Sequence, residues 1–299
     1  MPALRKQVAL IINPGAGTGH YGDPTGLIHL PSIRAHCDIE VIRSTKAGDI
    51  INLARQHAES GKTILIAGGD GSVQEAAIGV KGSGTSLGIL PYGSGNGLAR
   101  HLHIQKKPVS ALEQLIFNSR TEKVDMINLN ERLFINVAGV GFDALVAKKF
   151  SLDGERGLKT YLKHIVLNFF SFPEFEFRLK SGDEEHAGKA WMITFANGSE
   201  FGNGARIAPQ ASLQDGLMDI VIIRKPKWYQ LPKLIRNLMA GKEDNKMIRR
   251  LRLKNLSLSF DQPVDLHLDG EYSGTSSEIS SNVIPQCVNL LVPENISRI

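Results

Sequence analysis

The sequence predicts two domains, a parallel α/β domain followed by a mainly β one, and three observations predict it. Strand-like and helix-like segments alternate over residues 1–124. Beyond Val124 the helical periodicity thins out and strand-like segments follow one another. The length, 299 residues, suits two domains of ordinary size. The boundaries read as 1–124 and 125–299, with the extreme C-terminus free to return to the first domain.

The elements follow in order. Val8–Ile12 is an apolar run that stops at the turn Asn13-Pro14-Gly15. Ile39–Ile42 is a second strand. Gly48–Ser60 repeats Ile50, Ile51, Ala54, His57 and Ala58 at helical spacing. Thr63–Ala67 is a buried-type strand that runs into Gly68-Gly69-Asp70-Gly71. Ser72–Val80 reads as a helix, Leu87–Leu90 as a strand, and Pro108–Asn118 as a helix with proline in its first turn. Strands that alternate with helices imply parallel pairing and right-handed crossovers, a Rossmann-like arrangement.

In the second half the strand candidates are Lys123–Leu129, Leu133–Ala138, Lys189–Asn197, Leu217–Arg224, Leu251–Phe260, Val264–Leu268 and Cys287–Val292. Val264, Leu266 and Leu268 interleave with Asp265, His267 and Asp269, a period of two that predicts an antiparallel, sandwich-like sheet with one buried face. Glu155–Phe172 and Trp228–Ala240 are helical candidates. With this layout the active site is expected in the interdomain cleft.

Composition narrows the class. With 42% hydrophobic and 22% charged residues, the chain is neither disordered nor fibrous. No apolar run reaches the ~18–20 residues of a membrane-spanning helix, and the first apolar run is too short for a secretory signal. The expectation is a soluble, cytoplasmic protein. Cys37 and Cys287 read as free thiols. The net charge of +5 favours anionic partners such as phosphates or an anionic membrane. No basic, aromatic-rich nucleic-acid module is evident, so nucleic acid is not expected as a partner.

Three glycine-rich turns each follow a predicted strand: Asn13-Pro14-Gly15-Ala16-Gly17, Gly68-Gly69-Asp70-Gly71-Ser72 and Gly93-Ser94-Gly95-Asn96-Gly97. In a parallel sheet such turns gather on one edge, and helix N-termini there suit phosphate. None is a GxxxxGK[ST] loop, and Gly15–Gly19 lacks the third glycine of GxGxxG. Asp70 is the distinctive residue. A carboxylate in a phosphate loop serves if it holds Mg²⁺, takes a proton in catalysis, or is simply a turn former or helix cap.

Ile66–Glu75 (IAGGDGSVQE) and Leu87–Arg100 (LGILPYGSGNGLAR) closely resemble the diacylglycerol kinase catalytic-domain family, which includes bacterial lipid kinases and the sphingosine and ceramide kinases. Four further motifs agree in order: Asn13-Pro14, Val137–Ala144 with its GFDA segment, Asp215–Asp219 (DGLMD) and Asp269-Gly270-Glu271. The resemblance implies ATP- and Mg²⁺-dependent phosphorylation of a lipid hydroxyl. It implies nucleotide contacts at Asn13, Thr45, Gly68, Gly69, Asp70, Gly71, Ser72, Glu75, Ser94 and Asn96. It places the proton acceptor at Glu271, with Asp269 a close second, and a structural Mg²⁺ at Asp215 with backbone carbonyls near Ser212 and Leu217. Ser72 and Gln74 stand where bacterial members usually have Thr and Asn, and Ser94–Leu98 is closer to the sphingosine and ceramide kinase form. These departures leave the lipid open.

Two other readings stand beside it: a soluble-substrate kinase of the NAD kinase type, and a nucleotide-binding regulator without catalysis. Asp125, Asp143, Arg100 and His101 are secondary candidates. The expected partner is a lipid at an anionic membrane surface, reached transiently, and a homodimer is compatible with the resemblance. Arg224–Lys254 carries eleven Lys/Arg against Glu243 and Asp244, a local charge of +9 that leaves the rest of the chain at −4. Its stripe of Leu231, Leu234, Ile235 and Leu238 either meets a bilayer or packs on the β-rich domain while the charges face water.

Overall fold

The computed structural model describes residues 5–16, 21–153, 158–202, 204–242, 247–296 and 299. The chain divides into two compact units, Met1–Val124 with Gln286–Ile299, and Asp125–Pro285.

The first unit contains β1 (Lys6–Ile12), α1 (Pro31–His36), β2 (Cys37–Arg43), α2 (Asp49–Glu59), β3 (Thr63–Gly68), α3 (Asp70–Val80), β4 (Ser86–Pro91), α4 (Gly97–His101) and α5 (Pro108–Phe117). Strands β2, β1, β3 and β4 are parallel neighbours in that order, and Asn289 and Leu290 of the returning C-terminal segment pair in parallel with Ser86 and Leu87 of β4. The strands read as continuous apolar runs because both faces are covered: Val8–Ile12 and Ile64–Ala67 are buried throughout. Helix α2 buries Ile50, Ala54 and Ala58, the stripe its periodicity predicts. Helix α3 packs tightly on it. A Cβ at Gly79 would stand 2.5 Å from the Ile51 carbonyl oxygen. Cys37 and Cys287 are free thiols, as expected.

The second unit takes up β5 (Ser119–Leu129) from Asp125 onward. It continues with β6 (Arg132–Phe134), β7 (Val137–Gly141), α6 (Phe142–Leu152), α7 (Leu158–Asn168), β8 (Phe175–Ser181), β9 (Glu184–Ala190), β10 (Met192–Ala196), β11 (Met218–Ile223), α8 (Leu231–Met239), β12 (Ile248–Leu253), β13 (Asn255–Leu268) and β14 (Glu271–Pro293, whose last residues belong to the first unit). The pairing is antiparallel: β12, β11, β10, β7 and β13 run in order. Strand β13 is irregular between Ser259 and Val264. Its first half pairs with β8 and its second with β7, so the sheet turns on itself and encloses a core of Phe134, Phe195, Leu258, Leu266 and Ile279, among others. A second cluster, with Phe142, Phe169, Trp191 and Leu234, lies under α6, α7 and α8.

Several sequence expectations are corrected. Lys189–Asn197 is not one strand. Trp191 breaks it, donating its backbone N–H to Ile223 while its ring stacks on Phe142 at 3.8 Å. Leu251–Phe260 is likewise two strands, β12 and β13. Helix α6 and strand β8 were not expected at all. The second half of β13 has two covered faces, since His267 is 3% exposed and Asp265 half-buried, and Asp269 in the following turn is 5% exposed; α6 packs over the side that the alternation assigns to solvent. Glu155 of the first helical candidate, Gly17 and Gly19 of the first loop, and Glu243 and Asp244 of the basic stretch lie outside the described residues.

Candidate functional site

In the first unit the three glycine-rich turns follow β1, β3 and β4, which are adjacent and parallel, so they emerge on one edge. They are cross-linked. The backbone N–H of Asn13 donates to Ala67 at 3.1 Å, and its side-chain amide donates to the Ser72 hydroxyl at 2.8 Å. The N–H groups of Tyr92 and Gly93 both donate to the Gly68 carbonyl. The glycines make this approach feasible: a Cβ on Gly93 would stand 2.4 Å from the Gly69 Cα, and one on Gly68 would stand 2.4 Å from the Ser72 Cβ.

Asp70 is the first residue of α3, with Gly69 as the cap. Its carboxylate reaches into the third loop, where the Leu98 N–H donates to Oδ1 at 3.4 Å. Burial pushes its pKa up to about 6, against the opposing pull of the backbone amides of Leu98, Gly97 and Asn96. Asp70 therefore ties the second loop to the start of α4. Asn96, at φ +50°, accepts from the Gly93 N–H at 2.9 Å and donates to the Gly93 carbonyl at 2.6 Å, so its side chain closes the third loop on itself. Arg100 donates to the Gly95 carbonyl. The bend at Ser94 and Gly71, in the first turn of α3, belong to this edge. Thr45 donates to Asp49 from its hydroxyl and backbone, closing the start of α2. Glu75 accepts from the Gly48 N–H through Oε1, while its buried Oε2 has no partner among the described residues. Loops two and three run straight into α3 and α4. Pro24 is the first helical residue described after loop one, so the expected helix directly after every turn holds for two of the three.

In the second unit Asp269, at φ +46°, accepts three backbone N–H bonds. Ile135 donates to Oδ2 at 3.1 Å, and Asn136 and Val137 donate to Oδ1 at 3.0 and 2.9 Å. Its oxygens anchor the chain that enters β7. Glu271, two residues on, is exposed at the start of β14. The pair is thus split by environment, one acid holding backbone and one facing solvent.

Beside this turn lies a buried pair that the sequence reading did not assemble. His267 Nε2 is 3.3 Å from Asp143 Oδ2, and Asp143 also accepts from the Ala144 N–H and the Thr194 hydroxyl. The other ring nitrogen of His267 accepts from Gly270, 3.4 Å away. Burial of a charged residue at a strict alternation was the missing signal, and it is set by α6, which periodicity did not reveal.

The residues expected to hold a structural Mg²⁺ do not form an oxygen cage. Asp215 Oδ1 accepts from the Leu217 N–H at 3.0 Å, an Asx turn, and Oδ2 is in contact with the Arg252 guanidinium. Arg252 Nε also lies 3.7 Å from Asp219. Ser212 accepts from the Gln214 N–H. Asp125 fastens this loop by accepting from Gly216 at 2.8 Å. A guanidinium stands where a divalent ion would have to bind, so these residues do not fit the metal. Among the described residues no group of three His, Cys, Asp or Glu side chains is gathered for one.

Residues 7–129 match the diacylglycerol kinase catalytic domain, and residues 136–292 match the YegS C-terminal NAD kinase beta sandwich-like domain. The chain belongs to the diacylglycerol kinase catalytic-domain family. A Chromohalobacter salexigens protein named "Probable lipid kinase YegS-like" is 30% identical over 234 residues, covering 76% of this chain and 75% of that one. A Staphylococcus saprophyticus protein named diacylglycerol kinase is 26% identical, covering 99% of this chain and 98% of that one. A crystal structure of a diacylglycerol kinase from Bacillus anthracis superposes with a TM-score of 0.73 at 18% identity, covering 96% of this chain and 97% of that one. That likeness extends the family fold to nearly the whole chain. Among the described residues no helix is long and apolar enough to cross a membrane.

Proposed function

We propose that this member of the family is a kinase that transfers a phosphoryl group from ATP to a hydroxyl of a lipid, of the diacylglycerol or the sphingoid and ceramide-like kind. The observation that carries the reading is the trio of cross-linked glycine turns at the carboxyl edge of one parallel sheet, two of them opening helices. Helix N-termini carry a partial positive charge that suits phosphate, and side chains at Gly68, Gly69 or Gly93 would fill that cradle. ATP, when bound, supplies the phosphoryl group.

The chain's own residues hold and move protons. Asn13, Ser72 and Asp70 fix the loops to one another, so the amides are already in place when phosphate arrives. The carboxylate of Glu271 would take the proton of the acceptor hydroxyl as that oxygen bonds to the γ-phosphorus, and the bond from this phosphorus to the bridging oxygen breaks, releasing ADP. Asp269, occupied by three amides, positions the turn that presents Glu271. No step in this scheme is assigned to Mg²⁺.

A second reading, a soluble-substrate kinase of the NAD kinase type, draws support from the description of the C-terminal domain that the chain matches. One experiment separates the two. Purified protein and ATP are offered either NAD or a mixed lipid extract, and the products are weighed by mass spectrometry. A phosphorylated lipid supports the proposal and its mass names the acceptor. Phosphorylated NAD with no lipid product sinks it.

A further inference from the structure

We propose that one face of the C-terminal unit, formed by α7, the turn that ends it and the segment before α8, docks on an anionic bilayer. The inference rests on the lipid reading above, because a lipid substrate resides in a membrane.

Ten large hydrophobic side chains are exposed among the described residues, and five of them belong to this face. Val166 and Leu167 of α7 are 59% and 65% exposed, and Phe170 in the following turn is 75% exposed. Lys159 and Lys163 precede them at intervals of four and three to four residues, so basic and apolar side chains line one side of the same helix. The other side is spent on the fold: Phe169 is buried against Trp191, and Tyr161 and Ile165 pack on the same cluster.

The second edge is tied to the first. The Lys225 ammonium donates to the Phe172 carbonyl at 2.6 Å and the Phe170 carbonyl at 3.5 Å, and lies 5.3 Å from the Phe169 ring. This holds the segment after β11 against the end of α7. Trp228 and Tyr229 then stand 68% and 57% exposed, with Lys227 over the Tyr229 ring. The apolar stripe of α8 is not part of this surface. Leu234 is buried, and Leu231 and Leu238 pack on the core, so the alternative in which the stripe faces the β-rich domain is the one observed. Lys233 and Arg236 remain on its outer side.

Charge decides the occupant. Lys159, Lys163, Lys227, Lys233 and Arg236 are exposed on or beside the face. The neighbouring acids are already engaged: Asp153 by Lys163 and His164, and Glu174 by Arg224 and the Lys225 N–H. Exposed Trp, Tyr and Phe interleaved with lysine match a headgroup layer, which accepts aromatic rings and supplies negative charge together. A bilayer of neutral lipid satisfies only the first, and an apolar protein surface supplies no negative charge.

The test uses the full chain and co-sedimentation with vesicles of phosphatidylcholine alone or with added phosphatidylserine. Binding should require phosphatidylserine and weaken as salt rises. Phe170→Ser with Trp228→Ser should lower it at least about tenfold, and Lys159→Gln and Lys227→Gln about fivefold each at low salt. Thermal melts check that these surface variants stay folded. Equal binding to both vesicle types, wild-type binding by the variants, or a solution dimer that dissociates on Phe170→Ser would overturn the proposal. Phosphorylation of detergent-dispersed lipid is followed in parallel and should survive in the variants. If the wild type shows none, the kinase reading fails while the vesicle result still decides the docking surface.

Discussion

Replacing Asp70 by Asn tests whether a carboxylate in a phosphate loop serves mainly to join two loops. Burial raises its pKa from 3.8 to about 6 in the folded chain. Between these values the folded state binds more protons than the unfolded state, so stability falls as pH rises. The full displacement is worth about 3 kcal/mol, present below the unfolded value near 3.8 and lost as pH passes about 6. From about pH 5 to about pH 7.5 the loss is about 1 kcal/mol. Asp70→Asn removes this contribution and keeps the volume. Urea unfolding of both proteins at the two pH values, with m unchanged, isolates it because all other groups cancel in the double difference. The wild type should lose about 1 kcal/mol more than the variant on raising the pH. Parallel pH dependences would refute the burial argument. Kinase turnover at saturating ATP should nearly vanish in Asp70→Asn, since the substitution removes the negative charge and leaves a neutral oxygen to accept from Leu98. Near wild-type turnover would remove Asp70 from the mechanism.

Three other outcomes follow from the same geometry. Glu271→Gln should cut turnover by about 10²–10⁴-fold with stability unchanged, whereas Asp269→Asn should lower stability by about 1–3 kcal/mol because it disturbs three amide bonds; the reverse pattern, read from kinetics and denaturant melts, would exchange their roles. Gly93→Ala pushes a methyl group onto the Gly69 backbone and should raise the KM for ATP and cost about 1–3 kcal/mol, while an unaltered KM would argue against a tight cradle. Chelation with EDTA should leave the Tm of the wild type unchanged because Arg252 engages Asp215 and Asp219, and Arg252→Ala should lose about 1 kcal/mol; a fall of several degrees on chelation would show that a metal holds this loop.

Much of the first unit is legible in its sequence because the determinants are local. Buried parallel strands are short apolar runs, and each is punctuated by glycine where the next backbone must pass closely, as Gly69 and Gly93 do. The second unit is less legible because its partners are remote. Whether the Asp265–Asp269 stretch has one covered side or two depends on α6, more than a hundred residues earlier, and nothing in the local alternation reports it. Trp191 reads as strand interior by propensity, yet its ring is drawn out of the ladder to stack on Phe142. The motif acids show a further limit. The family resemblance marks Asp70, Asp215 and Asp269 as chemical residues, but it does not say which hydrogen bonds they have already made.

That last distinction separates reaction from architecture. Five aspartates in or beside the motifs use carboxylate oxygens on main-chain N–H groups of another residue or loop: Asp70 on Leu98, Asp125 on Gly216, Asp143 on Ala144, Asp215 on Leu217 and Asp269 on Ile135, Asn136 and Val137. Such bonds favour fixed loops, and fixed loops are what phosphoryl transfer needs, since its catalysis is largely positioning and charge placement. An oxygen held by two amides in a fixed turn is a poor place to receive a substrate proton, because protonation would break the bonds that set the turn. Glu271 carries one more methylene and stands exposed at the start of β14. Its exposure lets a substrate hydroxyl reach the carboxylate, whereas Asp269 is buried, which is the physical reason to assign the proton to Glu271 and the geometry to Asp269.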